Sequence, residues 1–347
     1  MSNYWETRAI SSDARREAAI ANALPELISH MQDARKTLQK EIDAFYGRYA
    51  KNNKITLAEA QKALSLDELA DFKGDLRAFR KLAKKSIGTF NLELDNLSVK
   101  ARITRLEALE MQCDAILQNC YQQQRALIEN TAGALAAEQY YNTLYDVEQY
   151  TGFQFPFSEL PASKIAKLIA EPVAGVDISA SLWRQDFETG YQIRRVLTNM
   201  FTTGRPPQDF AKELQRIIGR RDANGDLTGK TYEAHRLLYM ESAHVSESAK
   251  MEAYADDGID QYEIIATLDS KTSEICKEQD SKKYDVDKAV PGINYPPFHI
   301  YCRTTTAPYF PIMDELRSTR AARDENGKTI RVKKQTYKEW AEGKGIK

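Results

Sequence analysis

Residues 268–308 read LDSKTSEICKEQDSKKYDVDKAVPGINYPPFHIYCRTTTAP, and how this stretch folds decides what the C-terminal third of the chain is. Two of the four cysteines, Cys276 and Cys302, lie in it, with His299 three residues before the second. Just before it, GIDQYEIIATLD is β-branched and aromatic, with Tyr262, Ile264 and Ala266 alternating against Glu263 and Ile265, which predicts a strand. Just after Cys302, TTTAPYFP is short and apolar enough to pair as a second strand. Between them Asp269 is placed for an Asx turn that caps a short helix beginning near Thr272. Pro291–Gly292 is a turn dipeptide, and Pro296–Pro297 holds the backbone extended, presenting His299, Cys302 and Arg303 on a stiff arm.

Upstream the texture is helical. The first 150 residues contain one proline, Pro25, and few glycines. Thr56 with Glu59 and Ser65 with Glu68 have capping-box spacing. From Ser98 to about Tyr145 the apolar positions Ile103, Leu106, Leu109, Cys113, Ile116, Leu117, Cys120 and Leu127 recur at intervals of three and four, predicting one long helix or a pair. Cys113 and Cys120 then share a face roughly 10 Å apart, too far for a disulfide, and read as small apolar core residues. TGFQFPFSELPAS breaks the pattern as a linker. Two amphipathic helices follow, separated by Gly204, Pro206 and Pro207, with Trp183 expected as a core anchor. GRRDANGDLTG looks like the start of a calcium loop, but Thr231 stands where the required glutamate would be.

The fold class is therefore mainly α: long helical N-terminal and middle regions with a small α+β C-terminal domain. The expected divisions are 1–150 (helical region), 151–231 (linker and helical pair), 232–312 (α+β domain) and 313–347 (basic tail). Within 347 residues, 49 Lys and Arg face 50 Asp and Glu, which argues against nucleic-acid binding by the whole chain. Two local patches remain: nine basic residues against four acidic ones from Asp71 to Arg105, and the basic tail. No run of 18 apolar residues occurs, and the N-terminal stretch lacks a signal-peptide core, so no membrane partner is expected. Four cysteines are too few for a disulfide scaffold and suit a reducing cytosol.

The 268–308 segment admits four readings. Cys276, His299 and Cys302 are compatible soft ligands for zinc, with Asp269 or Asp280 as a fourth; a stronger Cys–x–x–Cys pair is missing because Ser273 occupies the first position. Cys276 paired with His299 and Asp269 would be a nucleophilic arrangement, though without an oxyanion loop beside it. A Cys276–Cys302 disulfide would contribute roughly 3–4 kcal/mol by loop entropy. A purely structural knot would have His299 donating to a backbone carbonyl and Arg303 paired with Asp269 or, second, Glu241. Metal-assisted hydrolysis or nuclease chemistry on Cys276, His299 and Cys302 is the enzymatic alternative.

The order of these pieces resembles the Mu F-like domain of tailed-phage minor head, or head-morphogenesis, proteins. A helix, RLLYMESAHVSESAKMEAY, leads to a strand, an Asp–Ser–x–Thr turn, a cysteine and a Pro–Pro–x–His–x–x–Cys–Arg signature. The matching positions are Arg236, Glu241, Asp269, Thr272, Cys276, Pro296, Pro297, His299, Cys302 and Arg303. SLWRQDFETGYQIRRVLTNMFTTGRPPQDFAKEL is similar to the family's helical pair, and YWETRA to its usual start. Ser273 and Met240 depart from the pattern, the former removing one sulfur. The resemblance implies a non-enzymatic, low-copy virion component inside the capsid, assembled in the host cytoplasm. It also implies the portal protein, the major capsid protein and phage DNA as partners, and a part in packaging or ejection. Only about 45 residues follow the signature, so no appended enzyme domain is expected.

Overall fold

A computed structural model describes residues 4–53, 105–152, 159–173, 178–203, 207–267, 269–310, 319–323 and 329–333. Its elements are α1 (Tyr4–Asn53), α2 (Arg105–Thr151), α3 (Ala162–Ala170), α4 (Ile178–Thr203), α5 (Pro207–Ile218) and α6 (Gly229–Asp256). There follow β1 (Gln261–Ile265), α7 (Glu274–Gln279), β2 (Lys283–Asp285), β3 (Thr305–Pro308), β4 (Thr319–Arg323) and β5 (Thr329–Lys333). This is the mainly helical architecture with a small α+β C-terminal part that the sequence predicts. Helix α1 runs through Pro25 without interruption. The two capping boxes at Thr56 and Ser65, and the basic patch from Asp71 to Arg105 apart from its last residue, lie outside the described residues.

The chain forms two compact units, neither contiguous in sequence. One combines Met1–Leu24, Leu127–Ile178 and Arg236–Lys347; the other combines Pro25–Ala126 and Ser179–His235. In the second unit the apolar stripes of α1, α2, α4 and α5 bury Leu27, Met31, Leu38, Leu117, Ile193, Leu197 and Phe210. Cys113 and Cys120 are buried there as free thiols, Cys120 with its sulfur 3.7 Å from that of Met31. Burial pushes the Cys120 thiol up to about 12, so it behaves as a small apolar residue. The two expected helices are present: α4 ends at Thr203, and Pro207, with φ already suited to a helix, opens α5, while Gly204 and Pro206 lie outside the described residues. Trp183 is a correction. It is 65% exposed on α4, its ring stacked on Phe187 at 5.7 Å, because positions 183, 187 and 191 point away from the buried face carrying Leu182, Ile193 and Leu197.

In the first unit, small residues let helices approach closely: Ala132 and Ala136 of α2 pack with Val245, Ala249 and Ala253 of α6 and Leu168 of α3. A second cluster joins Trp5 and Val147 to Tyr254, Tyr262, Ile264, Tyr295 and Ala307. The sheet on which this cluster sits is antiparallel, in the order β2-β1-β3, with Tyr262 opposite Tyr284 on one side and Ile264 opposite Thr306 on the other. Strand β2 was not expected from the sequence. The basic tail contains an antiparallel pair, β4 with β5, where the sequence reading assigned no strand.

Candidate functional site

The site is built on the β1–α7 and β2–β3 connections. After β1 the chain turns at Asp269, whose Oδ1 accepts the Lys271 N–H at 2.9 Å and whose carbonyl accepts the Thr272 N–H at 3.2 Å. Thr272 locks this turn by donating its hydroxyl to the Thr267 carbonyl at 2.5 Å. The expected cap is corrected here: α7 starts at Glu274, and its N-cap is Ser273, whose hydroxyl accepts the Cys276 N–H at 3.4 Å, while Asp269 shapes only the turn. Cys276 therefore sits, buried, in the first turn of a helix fixed at its origin.

The opposing face comes from the segment after Pro296–Pro297, a cis peptide. His299 is half-buried and Cys302 buried, the turn between them closed by the Cys302 N–H donating to the His299 carbonyl at 3.2 Å. The structure brings the three predicted ligands together. Cys276 Sγ lies 3.1 Å from His299 Nε2 and 3.8 Å from Cys302 Sγ, and both cysteines are free thiols. His299 Nδ1 is 2.7 Å from the Ile300 carbonyl, the backbone acceptor anticipated for it. Electrostatically the three act as one group. Hydrogen bonding from the Cys276 thiol and from His299 holds Cys302 well below an ordinary thiol, the Cys276 thiol is raised by sharing that proton, and the Cys302 sulfur raises His299.

Arg303 extends the site. Its Nη1 and Nη2 fork onto Asp269 at 2.5 and 2.8 Å, and its carbonyl accepts the Thr267 hydroxyl at 3.1 Å. The turn before Cys276 and the arm carrying Cys302 are thus pinned to each other by a two-bond pair. Glu241 is buried on α6. Asp280, the other candidate fourth ligand, accepts the Ala266 N–H at 3.0 Å.

Arg303→Ala should lower stability by about 2 kcal/mol, since it leaves a partly buried carboxylate without its fork. Burial raises the Asp269 carboxyl, but Arg303 and the Lys271 and Thr272 donors outweigh it and hold it below its ordinary value. The contribution is therefore present at neutral pH and fades as pH falls through the carboxylate range. Urea melts of wild type and variant at pH 7 and pH 3 check both statements; a gap that stays constant between the two would contradict the pairing.

Residues not anticipated from the sequence complete the setting. Arg16 of α1 donates to the Cys302 carbonyl at 3.3 Å and pairs with Asp13. Glu247 of α6 accepts from Lys250 at 2.8 Å and from the Thr305 hydroxyl at 2.6 Å, with Arg16 at 4.0 Å. Arg16, Glu247 and Lys250 are all at most 5% exposed. A clue was present in SAHVSESAK (242–250), where small residues occupy every side of a helix and imply packing all round it. The calcium-like loop is used locally: Asp222 Oδ1 accepts the N–H groups of Asn224 and Asp226, each at 2.9 Å.

Residues 191–307 match the family described as Phage Mu protein F like protein. These residues, about a third of the chain, are similar to that domain. Among individual relatives, it is 23% identical to Minor head protein GP7 of Bacillus phage SPP1 over 256 residues, 70% of this chain and 81% of that protein. It is also 24% identical over 204 residues to NAD(+)--arginine ADP-ribosyltransferase EFV of Enterococcus faecalis, covering 58% of this chain but only 40% of that protein. No solved structure matches at a significant level.

Proposed function

We propose that this chain is a non-enzymatic, low-copy component of the virion that acts near the portal during head assembly, on the inside of the capsid. The observation that carries this reading is the likeness to a phage minor head protein along 70% of the chain. Portal protein and major capsid protein are the partners proposed, packaged DNA a neighbour, and genome packaging or ejection the stage at which it acts. The ADP-ribosyltransferase named among the relatives shares less than half its own length with this chain, and its activity is not carried over. No described helix is long and apolar enough to cross a membrane.

A minor component needs a surface for its larger partners. Trp183, Phe187 and Tyr191 recur every fourth residue along α4 and are 65%, 50% and 56% exposed, an aromatic stripe of the kind that anchors protein interfaces. We assign this stripe to contact with a head protein. The test is co-expression of the full chain with the major capsid and portal proteins of its own genome, followed by gradient sedimentation. The chain should sediment with heads, and its amount should fall when portal is omitted. Trp183→Ala with Phe187→Ala should cut incorporation about tenfold, equivalent to about 1.4 kcal/mol, with the melting temperature unchanged. A chain that stays in the soluble fraction would refute the assembly role, and undiminished incorporation of the variant would refute the stripe.

A further inference from the structure

We propose that Cys276, His299 and Cys302 bind one soft divalent cation of the zinc class through two thiolates and one imidazole, with water completing the coordination. The inference rests on the geometry of the knot and stands whether or not the assembly role holds.

The ligand atoms have the spacing such an ion requires. All three lie within 4.8 Å of one another, with the sulfurs 3.8 Å apart and Cys276 Sγ 3.1 Å from Nε2. Two thiolates about 2.3 Å from a tetrahedral ion stand about 3.8 Å from each other, and a thiolate and an imidazole nitrogen about 3.5 Å. The Cys276–Cys302 edge already has this length, the Cys276–His299 edge has to open by a few tenths of an ångström, and the Cys302–His299 edge, within 4.8 Å, has to close onto the ion.

The histidine is already held by its other nitrogen. The Ile300 carbonyl, 2.7 Å from Nδ1, can only accept, so Nδ1 carries a hydrogen, and Nε2, which faces the sulfurs, becomes a ligand once a metal displaces its proton. The supports are independent of one another. Ser273 fixes the turn carrying Cys276, Arg16 holds the Cys302 carbonyl, and the Arg303–Asp269 fork ties the two arms. A site whose ligands are pre-positioned by such contacts binds without first having to order them.

The fourth position falls to water for a specific reason. Asp269 is engaged by Arg303 and Asp280 by the Ala266 N–H, while His299 is the one member of the three that reaches solvent. The other two thiols, Cys113 and Cys120, lie in the other compact unit and serve as internal controls.

The test uses the full chain, reduced and freed of metal, titrated with Co²⁺ alone and followed by absorbance. One equivalent should produce the sulfur-to-cobalt charge-transfer band and the intense visible bands of a tetrahedral site, and Zn²⁺ should bleach them. Cys276→Ser and Cys302→Ser should each weaken Co²⁺ binding by more than the roughly 10–100-fold lost when only a ligand's supporting contact is removed. Cys113→Ser and Cys120→Ser should leave the titration unchanged. The wild-type titration is decisive even if a variant fails to fold: no charge-transfer band on folded, reduced wild type overturns the proposal. Bands that survive the Cys276→Ser, Cys302→Ser double substitution overturn it as well. So does a thiol count of two on protein isolated without reductant, with metal binding still absent after the Cys276–Cys302 disulfide is reduced.

Discussion

Glu247→Ala should destabilise the first compact unit by about 3–5 kcal/mol, the cost of breaking a buried ionic group by removing one member. Glu247 is 1% exposed and accepts from Lys250, Thr305 and Thr306, at 2.8, 2.6 and 3.3 Å. Its loss leaves Lys250 and Arg16 as two buried cations with Asp13 as the remaining carboxylate of the network. Burial already pushes the Lys250 ammonium down, with Glu247 acting against it, so the variant's lysine should shed its proton rather than stay charged. The measurement is denaturant unfolding of the full chain followed by near-UV signal from the Trp5–Tyr150–Phe310 aromatic group of the same unit. Glu247→Gln, which keeps an acceptor for the threonines but not the charge, should fall between wild type and Glu247→Ala. A loss under about 1 kcal/mol for Glu247→Ala would show that these charges are not held together away from water.

Gly219→Ala should cost the second unit about 3 kcal/mol or more, through overlap with backbone that has nowhere to go. At φ +82°, a Cβ there would stand 1.8 Å from the Thr228 carbonyl oxygen. That carbonyl belongs to the strand of chain that the Thr228 N–H closes onto Arg220 at 3.0 Å, and the Gly219 carbonyl itself accepts from Gln32 at 2.9 Å. Gly225 has nearly the same φ, +87°, with nothing within 4 Å of its Cβ position, so Gly225→Ala carries only the backbone cost of about 1 kcal/mol. The pair separates conformational cost from steric cost. Equal losses in chemical unfolding would mean that the close approach at Gly219 contributes nothing.

The parts legible in the sequence are those governed by local rules. The three-and-four spacing around Cys113 and Cys120 marks a buried helix face because side chains that far apart share one side of a helix, whatever packs on it. The Gly204–Pro206–Pro207 break works because proline has no N–H to donate and a φ already fixed. Strand β1 shows its alternation, although Glu263, on the nominally polar side, is itself buried. Strand β2 was missed because Lys283–Tyr284–Asp285 is an edge with no apolar alternation; its partner β1 defines it. The pair β4–β5 was missed because the tail was read by its excess of basic residues, although Ile330 and Val332 alternate with Arg331 and Lys333. Trp183 shows the limit of composition: a tryptophan on an amphipathic helix suggests an anchor, and the turn of the helix sends it to solvent.

The sequence by itself determined the helical economy of the chain, the strands bracketing 268–308, and the identity of Cys276, His299, Cys302, Asp269 and Arg303 as the residues worth following. Their residue types and spacing, with the prolines between them, restrict how the backbone can run. Tertiary structure alone decided that Ser273 rather than Asp269 caps α7, that Arg303 takes Asp269, the partner the sequence placed first, in a two-bond fork, and that the two sulfurs come to 3.8 Å with an imidazole nitrogen between the arms. It also brought Arg16 to the carbonyl of Cys302 across 286 positions of sequence, and to within 4.0 Å of Glu247. No local rule encodes such a meeting. A buried charge must find its partner wherever packing places one, and that partner is set by how three helices and a sheet exclude water together.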